Sequence, residues 1–173
     1  MGAIPAVHTW IAGEVDKAAN LNLGSTAITW QQGGYPLTVL RQTVQQSIPN
    51  ATWTALAFDT EPIDSDATHS GSGSRITPLT PTWWQFECDV AFASNATGVR
   101  GIRLVKNGTI LYGRVFLPPA TGFSTGLHYS TEIDVNGTTD YVEVQAYQSS
   151  GGALLTGGST EDPARFTARW IRS

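Results

Sequence analysis

From residue 36 onward, apolar and polar positions alternate with a period of two along most of the chain, the pattern of strands with one buried face. It is clearest over residues 84–92, where Trp84, Phe86, Cys88, Val90 and Phe92 share one face and Gln85, Glu87, Asp89 and Ala91 the other. Residues 37–48 set Val39, Arg41, Thr43 and Gln45 against Thr38, Leu40, Gln42 and Val44, until Pro49-Asn50 breaks the run. Residues 52–58 then oppose Trp53, Ala55 and Ala57 to Thr54, Leu56 and Phe58. Near the C-terminus Val142, Val144 and Ala146 oppose Tyr141, Glu143, Gln145 and Tyr147, and a last strand places Phe166, Ala168 and Trp170 together.

The turns agree with this reading. Asn107-Gly108 separates two apolar runs and predicts a β-hairpin, because both turn positions favour positive φ. Asn136-Gly137 marks a second turn, and the glycine-rich residues 149–163 read as a loop. Short strands, regular turns and no competing helical period predict an all-β antiparallel sandwich or jelly roll over residues 35–173.

Residues 1–34 follow a different pattern. A short helix over residues 14–23 would have only a thin apolar stripe, and a helix of that length is marginal alone in water. Trp10, Ile11, Leu21, Leu23, Ile28 and Trp30 therefore need a partner surface, which makes this segment an extended or helical N-terminal anchoring arm; the alternative is a disordered tail.

Composition narrows the function classes. Charged residues are 14% of the 173, against about 25% in typical soluble proteins, so a monomer would expose much neutral surface and extensive protein contacts are expected. A net charge of −4 and two lysines, Lys17 and Lys106, leave no basic stripe for nucleic acid. No apolar run is long enough to span a membrane, and no secretory or myristoylation pattern is present. The single cysteine, Cys88, falls on an apolar strand face, where it acts as a small hydrophobe. Asn50, Asn95, Asn107 and Asn136 each begin an Asn-x-Thr triplet and read as turn residues.

Candidate chemistry concentrates in residues 59–75. Asp59, Glu61, Asp64, Asp66 and His69 could supply a cation site, with Asp64, Asp66 and His69 as the candidate ligands, although the spacing departs from the calcium-loop pattern. The competing reading has Asp59 and Glu61 capping turns or pairing with an arginine such as Arg75. His8, His69 and His128 share no motif with a nucleophile, Glu132 and Glu143 are a chance carboxylate pair, and no cofactor motif occurs, so a non-enzyme is expected.

Five ordered blocks carry a resemblance: QQSIPNATWTALAFDTE, SRIT, WWQFECDVAFASNATGVRGIRLVKNG, DYVEVQAYQSSGG and RFTARWI. Together they cover roughly residues 37–173 and resemble the tumour necrosis factor and complement globular-head superfamily, in its bacterial and bacteriophage form. The resemblance implies a ten-strand TNF-like jelly roll assembling as a homotrimer, with residues 53–58, 83–92, 141–148 and 166–171 in one inner sheet. Trp53, Tyr141, Glu143, Gln145 and Tyr147 then become candidate trimer-interface residues, in keeping with the enrichment of tyrosine at interfaces.

The segment TWIAGEVDKAANLN resembles the opening of phage virion proteins, with Trp10, Ile11, Leu21, Leu23 and Trp30 as anchor residues. The two resemblances imply a structural virion protein of a double-stranded DNA bacteriophage. It would be made in the host cytoplasm and bound to a phage capsid or tail protein through residues 1–34. The alternative is a tail or fibre module that binds a host receptor or surface glycan, with Trp83, Tyr112, Phe116 and Phe123 as stacking faces.

Overall fold

The computed structural model describes residues 35–71, 73–156 and 163–172. The described residues form twelve strands and no helix. They are β1 (Leu37–Gln42), β2 (Ser47–Ile48), β3 (Thr54–Ala55), β4 (Thr60–Asp64), β5 (Arg75–Ile76), β6 (Thr82–Phe92), β7 (Arg100–Lys106), β8 (Ile110–Leu117), β9 (Thr125–Val135), β10 (Val142–Gln148), β11 (Leu154–Leu155) and β12 (Ala164–Arg172). Four of them, β2, β3, β5 and β11, are only two residues long. The proposed arm, with Trp10, Ile11, Leu21, Leu23 and Trp30, lies outside the described residues.

Two five-stranded sheets make an antiparallel sandwich. The first runs β4-β1-β12-β6-β9; the second runs β3-β10-β7-β8, with β5 beside β3 on the same edge of β10. The alternation is reproduced in the burial of the side chains. Trp84, Phe86, Cys88 and Phe92 of β6, with Leu40, Phe166 and Ala168, meet Ile102, Leu104, Val142, Val144 and Ala146 from the other sheet. The one polar atom of Trp84 is satisfied, its indole N–H donating to the Thr80 carbonyl at 2.8 Å.

Several boundaries differ from the sequence expectation for identifiable reasons. The single strand expected over residues 37–48 divides into β1 and β2, because the Asp59 carboxylate accepts hydrogen bonds from Thr43 N, Thr43 Oγ1 and Val44 N and bends the chain there. Val44 is consequently exposed. Residues 52–58 keep their expected parity, with Leu56 and Phe58 buried, but only Thr54–Ala55 qualify as strand. The Leu56 N–H still reaches Val144 O at 2.9 Å, whereas the Phe58 N–H turns to Gly73 O. Within the expected loop over residues 149–163, Leu154 and Leu155 pair with β2.

The four segments expected in one inner sheet are split between two. β6 and β12 belong to the first sheet and β3 and β10 to the second, because β10 gives one edge to β7 over seven residue pairs and the other to β3 and β5.

Both ends of β7 are held by buried cations. The Arg100 guanidinium donates to the carbonyls of Asn95, Thr97 and Val99 at 2.7–3.1 Å. At the other end Lys106 Nζ lies 2.9 Å from Asp140 Oδ2 and donates to Asp134 O at 2.7 Å. The hairpin after Lys106 matches expectation, with Asn107 and Gly108 at φ of 54° and 73°.

Candidate functional site

The five residues proposed for a subunit interface do come together, on the outer face of the second sheet. Trp53 and Tyr147 have ring centroids 5.2 Å apart, and Phe116 of β8 completes a triangle at 5.6 Å and 5.8 Å. The Arg103 guanidinium lies 4.3 Å above Trp53 and donates twice to Gln145 Oε1, at 2.8 and 2.6 Å. Gln145 Nε2 donates to Glu143 Oε1 at 2.6 Å, Glu143 Oε2 lies 3.8 Å from Arg75 Nε, and Arg75 stacks 3.9 Å over Tyr141. A continuous chain of contacts thus runs from Trp53 to Tyr141, with the one carboxylate, Glu143, between Arg75 and the Gln145 that Arg103 holds. Arg75, Arg103 and Phe116 were not foreseen as part of it. The register supplies them, since Gln145 sits opposite Arg103 and Glu143 opposite Arg75.

Phe116 lies flat because Gly101 is opposite it. A Cβ at Gly101 would be 2.5 Å from the Phe116 ring. Beyond Phe116 the surface becomes apolar. β8 is the outer strand of its sheet, and Ile110, Leu111, Phe116 and Leu117 on it are each at least 40% exposed. Phe123, in the segment leading to β9, is 75% exposed. Arg114, also exposed, is the one charged residue of the strand; long apolar edge strands are sites of association, which soluble monomers ordinarily blunt with charge or cover.

A bulge interrupts this edge at Tyr112, where Leu104 pairs with Gly113 and Val105 with Leu111. Tyr129 reaches through it to donate to Tyr112 O at 2.9 Å, and Gly113, at φ 130°, leaves room for that hydroxyl. Tyr112 itself donates to Asp134 at 3.0 Å. Of the proposed sugar-stacking residues, Tyr112 and Phe116 are therefore already engaged, Trp83 is partly exposed on β6, and Phe123 is the most accessible.

The outer face of the first sheet is mixed. A cleft of about 270 Å3 is walled by Leu37, Val39, Ile63, Glu87, Arg165 and Arg169. One row across the sheet reads Arg41, Arg165, Asp89, His128, and the last two are joined by a 2.8 Å contact. Glu87 completes a group with Asp89 and His128 whose ligand atoms lie within 4.8 Å of one another, the only grouping of three or more such residues among those described.

The acidic loop serves mostly to hold backbone. Asp64 accepts from Thr68 N, Thr68 Oγ1, His69 N and Thr38 Oγ1. Asp66 is buried and accepts from Leu79 N and Thr80 Oγ1. Asp64, Asp66 and His69 therefore do not form a shared ligand set. Asp59 caps the bend after β1 as expected; burial pushes its carboxyl up, but the Thr43 and Val44 hydrogen bonds outweigh it and hold the group below the usual carboxylate value. Glu61 faces His69 at 3.6 Å, and Arg75 pairs with Glu143 rather than with either acid.

Nothing described assembles a catalytic constellation. Burial, with the charges of Asp89 and Glu87, pushes the Cys88 thiol up to about 12, far from a reactive thiolate. Glu132 and Glu143 lie on different sheets, on β9 and β10.

No protein-family model matches the sequence, and no curated protein matches it either. Similarity appears in three dimensions. The globular domain of zebrafish complement 1qA superposes with a TM-score of 0.59 at 11% identity, over 79% of this chain and 98% of that one. Murine APRIL at pH 5.0 gives 0.60 at 9% identity, over 79% and 99%. The Eiger TNF from S. frugiperda gives 0.54 at 7% identity, over 80% and 94%. Strand order, sandwich and superposition agree that this chain carries the jelly-roll fold of the TNF and complement 1q globular domains.

Proposed function

We propose that the protein is a non-enzymatic structural component of a double-stranded DNA phage virion, a homotrimer decorating the capsid or tail surface and held there by residues 1–34. The observation that carries the self-association is the apolar edge of β8, with the exposed Phe123 in the segment that follows the strand. This edge differs from the mixed outer face of the first sheet, with its Leu37–Val39–Ile63 cleft. A contact between two unlike surfaces is head-to-tail, and such a contact closes into a ring when the rotation allows. Three copies then bury the apolar edge of each against the sheet of the next, and Trp53, Tyr141, Glu143, Gln145 and Tyr147 extend the subunit surface available for contact.

The virion assignment rests on the resemblance of the segment TWIAGEVDKAANLN, residues 9–22, to the opening of phage virion proteins, combined with the resemblance of residues 37–173. Three arms on one trimer gain avidity, because the second and third attachments are intramolecular. Sedimentation of the full chain tests the trimer: a monomer at tens of micromolar would overturn it. Removal of residues 1–34 tests the arm, which is misassigned if the truncated protein still coats particles. Copy number per particle separates capsid from tail, with hundreds expected for capsid decoration.

Recognition of a host glycan or receptor is the second reading, favoured by the exposure of Phe123 and Trp83. Reproducible binding of the isolated protein to a glycan array or to host cells would favour it over decoration.

A further inference from the structure

The His69 side chain is 1% exposed, yet only one of its ring nitrogens has a hydrogen-bond partner. Nδ1 lies 2.8 Å from the Arg75 carbonyl oxygen, which can only accept, so Nδ1 carries a proton. In the neutral ring Nε2 is then a bare lone pair. It makes no hydrogen bond and faces the Glu61 carboxylate, whose Oε1 is 3.6 Å away. A neutral ring's lone pair and a carboxylate oxygen this close at the edge of a protein interior repel, unless a proton or a metal cation lies between them.

We propose that a divalent transition-metal cation of the zinc class binds between His69 Nε2 and the Glu61 carboxylate. Three observations support the assignment. Ligand atoms at ~2.1 Å from a tetrahedral centre are about 3.4 Å apart, close to the gap found here. The contact from Nδ1–H to a backbone carbonyl is the outer-shell support that metal-binding imidazoles usually have, and it orients the ring with Nε2 outward. The Glu61 side chain is 32% exposed, so water reaches the gap from the carboxylate side and completes the coordination.

The chemistry selects the metal. Calcium and magnesium take six or more oxygen ligands or keep an octahedral water shell, and the nearby carboxylates of Asp64 and Asp66 are committed to backbone and hydroxyl donors. An imidazole with one carboxylate suits zinc and its neighbours. With two protein ligands the site is an exchangeable one, and it ties β4, which carries Glu61, to the loop before β5, which carries His69.

Calorimetric titration of zinc chloride into the full chain at pH 7.5 tests this. One ion per chain is expected, with affinity reduced at least tenfold in Glu61→Gln and unchanged in His128→Ala, which removes the other His-carboxylate group. Because Glu61 is partly exposed, Glu61→Gln separates loss of a ligand from loss of fold. Nitrogen-15 spectra of the histidines give an independent readout: zinc should displace the His69 Nε2 resonance while its Nδ1–H persists. No zinc binding up to millimolar concentration, binding lost in His128→Ala but retained in Glu61→Gln, or a His69 Nε2 resonance that does not move in excess zinc would each overturn the proposal.

Discussion

Lys106 and Asp140 form a 2.9 Å ion pair with side-chain exposures of 10% and 14%. The pair joins the end of β7 to the turn that leads into β10, and Asn107 reinforces it by donating to Asp140 Oδ1 and accepting from Tyr141 N. A buried pair broken on one side leaves an uncompensated charge, at a cost of about 3 to 5 kcal/mol. Lys106→Ala should lower stability by about 3 kcal/mol in urea unfolding.

The Gly101–Phe116 fit makes a sharper prediction. Gly101→Ala places a methyl group within the ring of Phe116 and should cost about 1 to 3 kcal/mol by overpacking. Because the three atoms nearest that methyl group all belong to the ring, Phe116→Ala in the same chain should make the two costs less than additive. Additive losses in a double-mutant cycle would show that Gly101 matters for some other reason.

Acid should weaken the fold through Asp59 and Asp140. Both carboxyls sit below their ordinary value: burial raises each, but Thr43 and Val44 around Asp59, and Asn107, Lys106 and Asn136 around Asp140, outweigh it. A group with a depressed folded pKa contributes stability above its unfolded value, about 3.9 for aspartate, and that contribution disappears as pH falls through the folded value. The melting temperature is therefore expected to fall below about pH 4, and less steeply in Asp59→Asn, measured from pH 7 to pH 2.

Cys88 should be inert. With its thiol pushed up to about 12 and its side chain in the core, it should react with a thiol reagent only as fast as the protein opens. Labelling in the native state faster than global unfolding would contradict this placement.

The self-association reading predicts that charge on the apolar edge disperses the assembly. Leu117→Lys and Phe123→Asp should give folded monomers by sedimentation with unchanged circular dichroism, since both side chains are exposed. A trimer that survives both changes would move the contact elsewhere.

What could be read from the residues was whatever repeats locally. The two-residue period placed Trp84, Phe86, Cys88, Val90 and Phe92 in the core, and Asn107-Gly108 placed the hairpin, because burial and turn geometry act on neighbours in the chain. Sheet membership could not be read in that way. Strands β6 and β10 show the same alternation yet belong to different sheets, and the partners of Gln145 and Glu143 depend on a register that joins residues far apart. Periodicity also failed at Val44, where three hydrogen bonds to a carboxylate fifteen or sixteen residues away ended the strand. The acidic loop looked like a ligand set because composition counts carboxylates; the structure shows most of them turned toward backbone N–H groups.

The cations at the two ends of β7 differ in their response to acid. Arg100 holds neutral carbonyl oxygens, so its clasp on residues 95–99 contains no acidic partner and does not titrate. Lys106 holds a carboxylate, and its clasp loosens once Asp140 takes up a proton. On acidification β7 should fray from Lys106 toward Arg100, and amide exchange should spread along the strand in that direction while the Arg100 end stays closed.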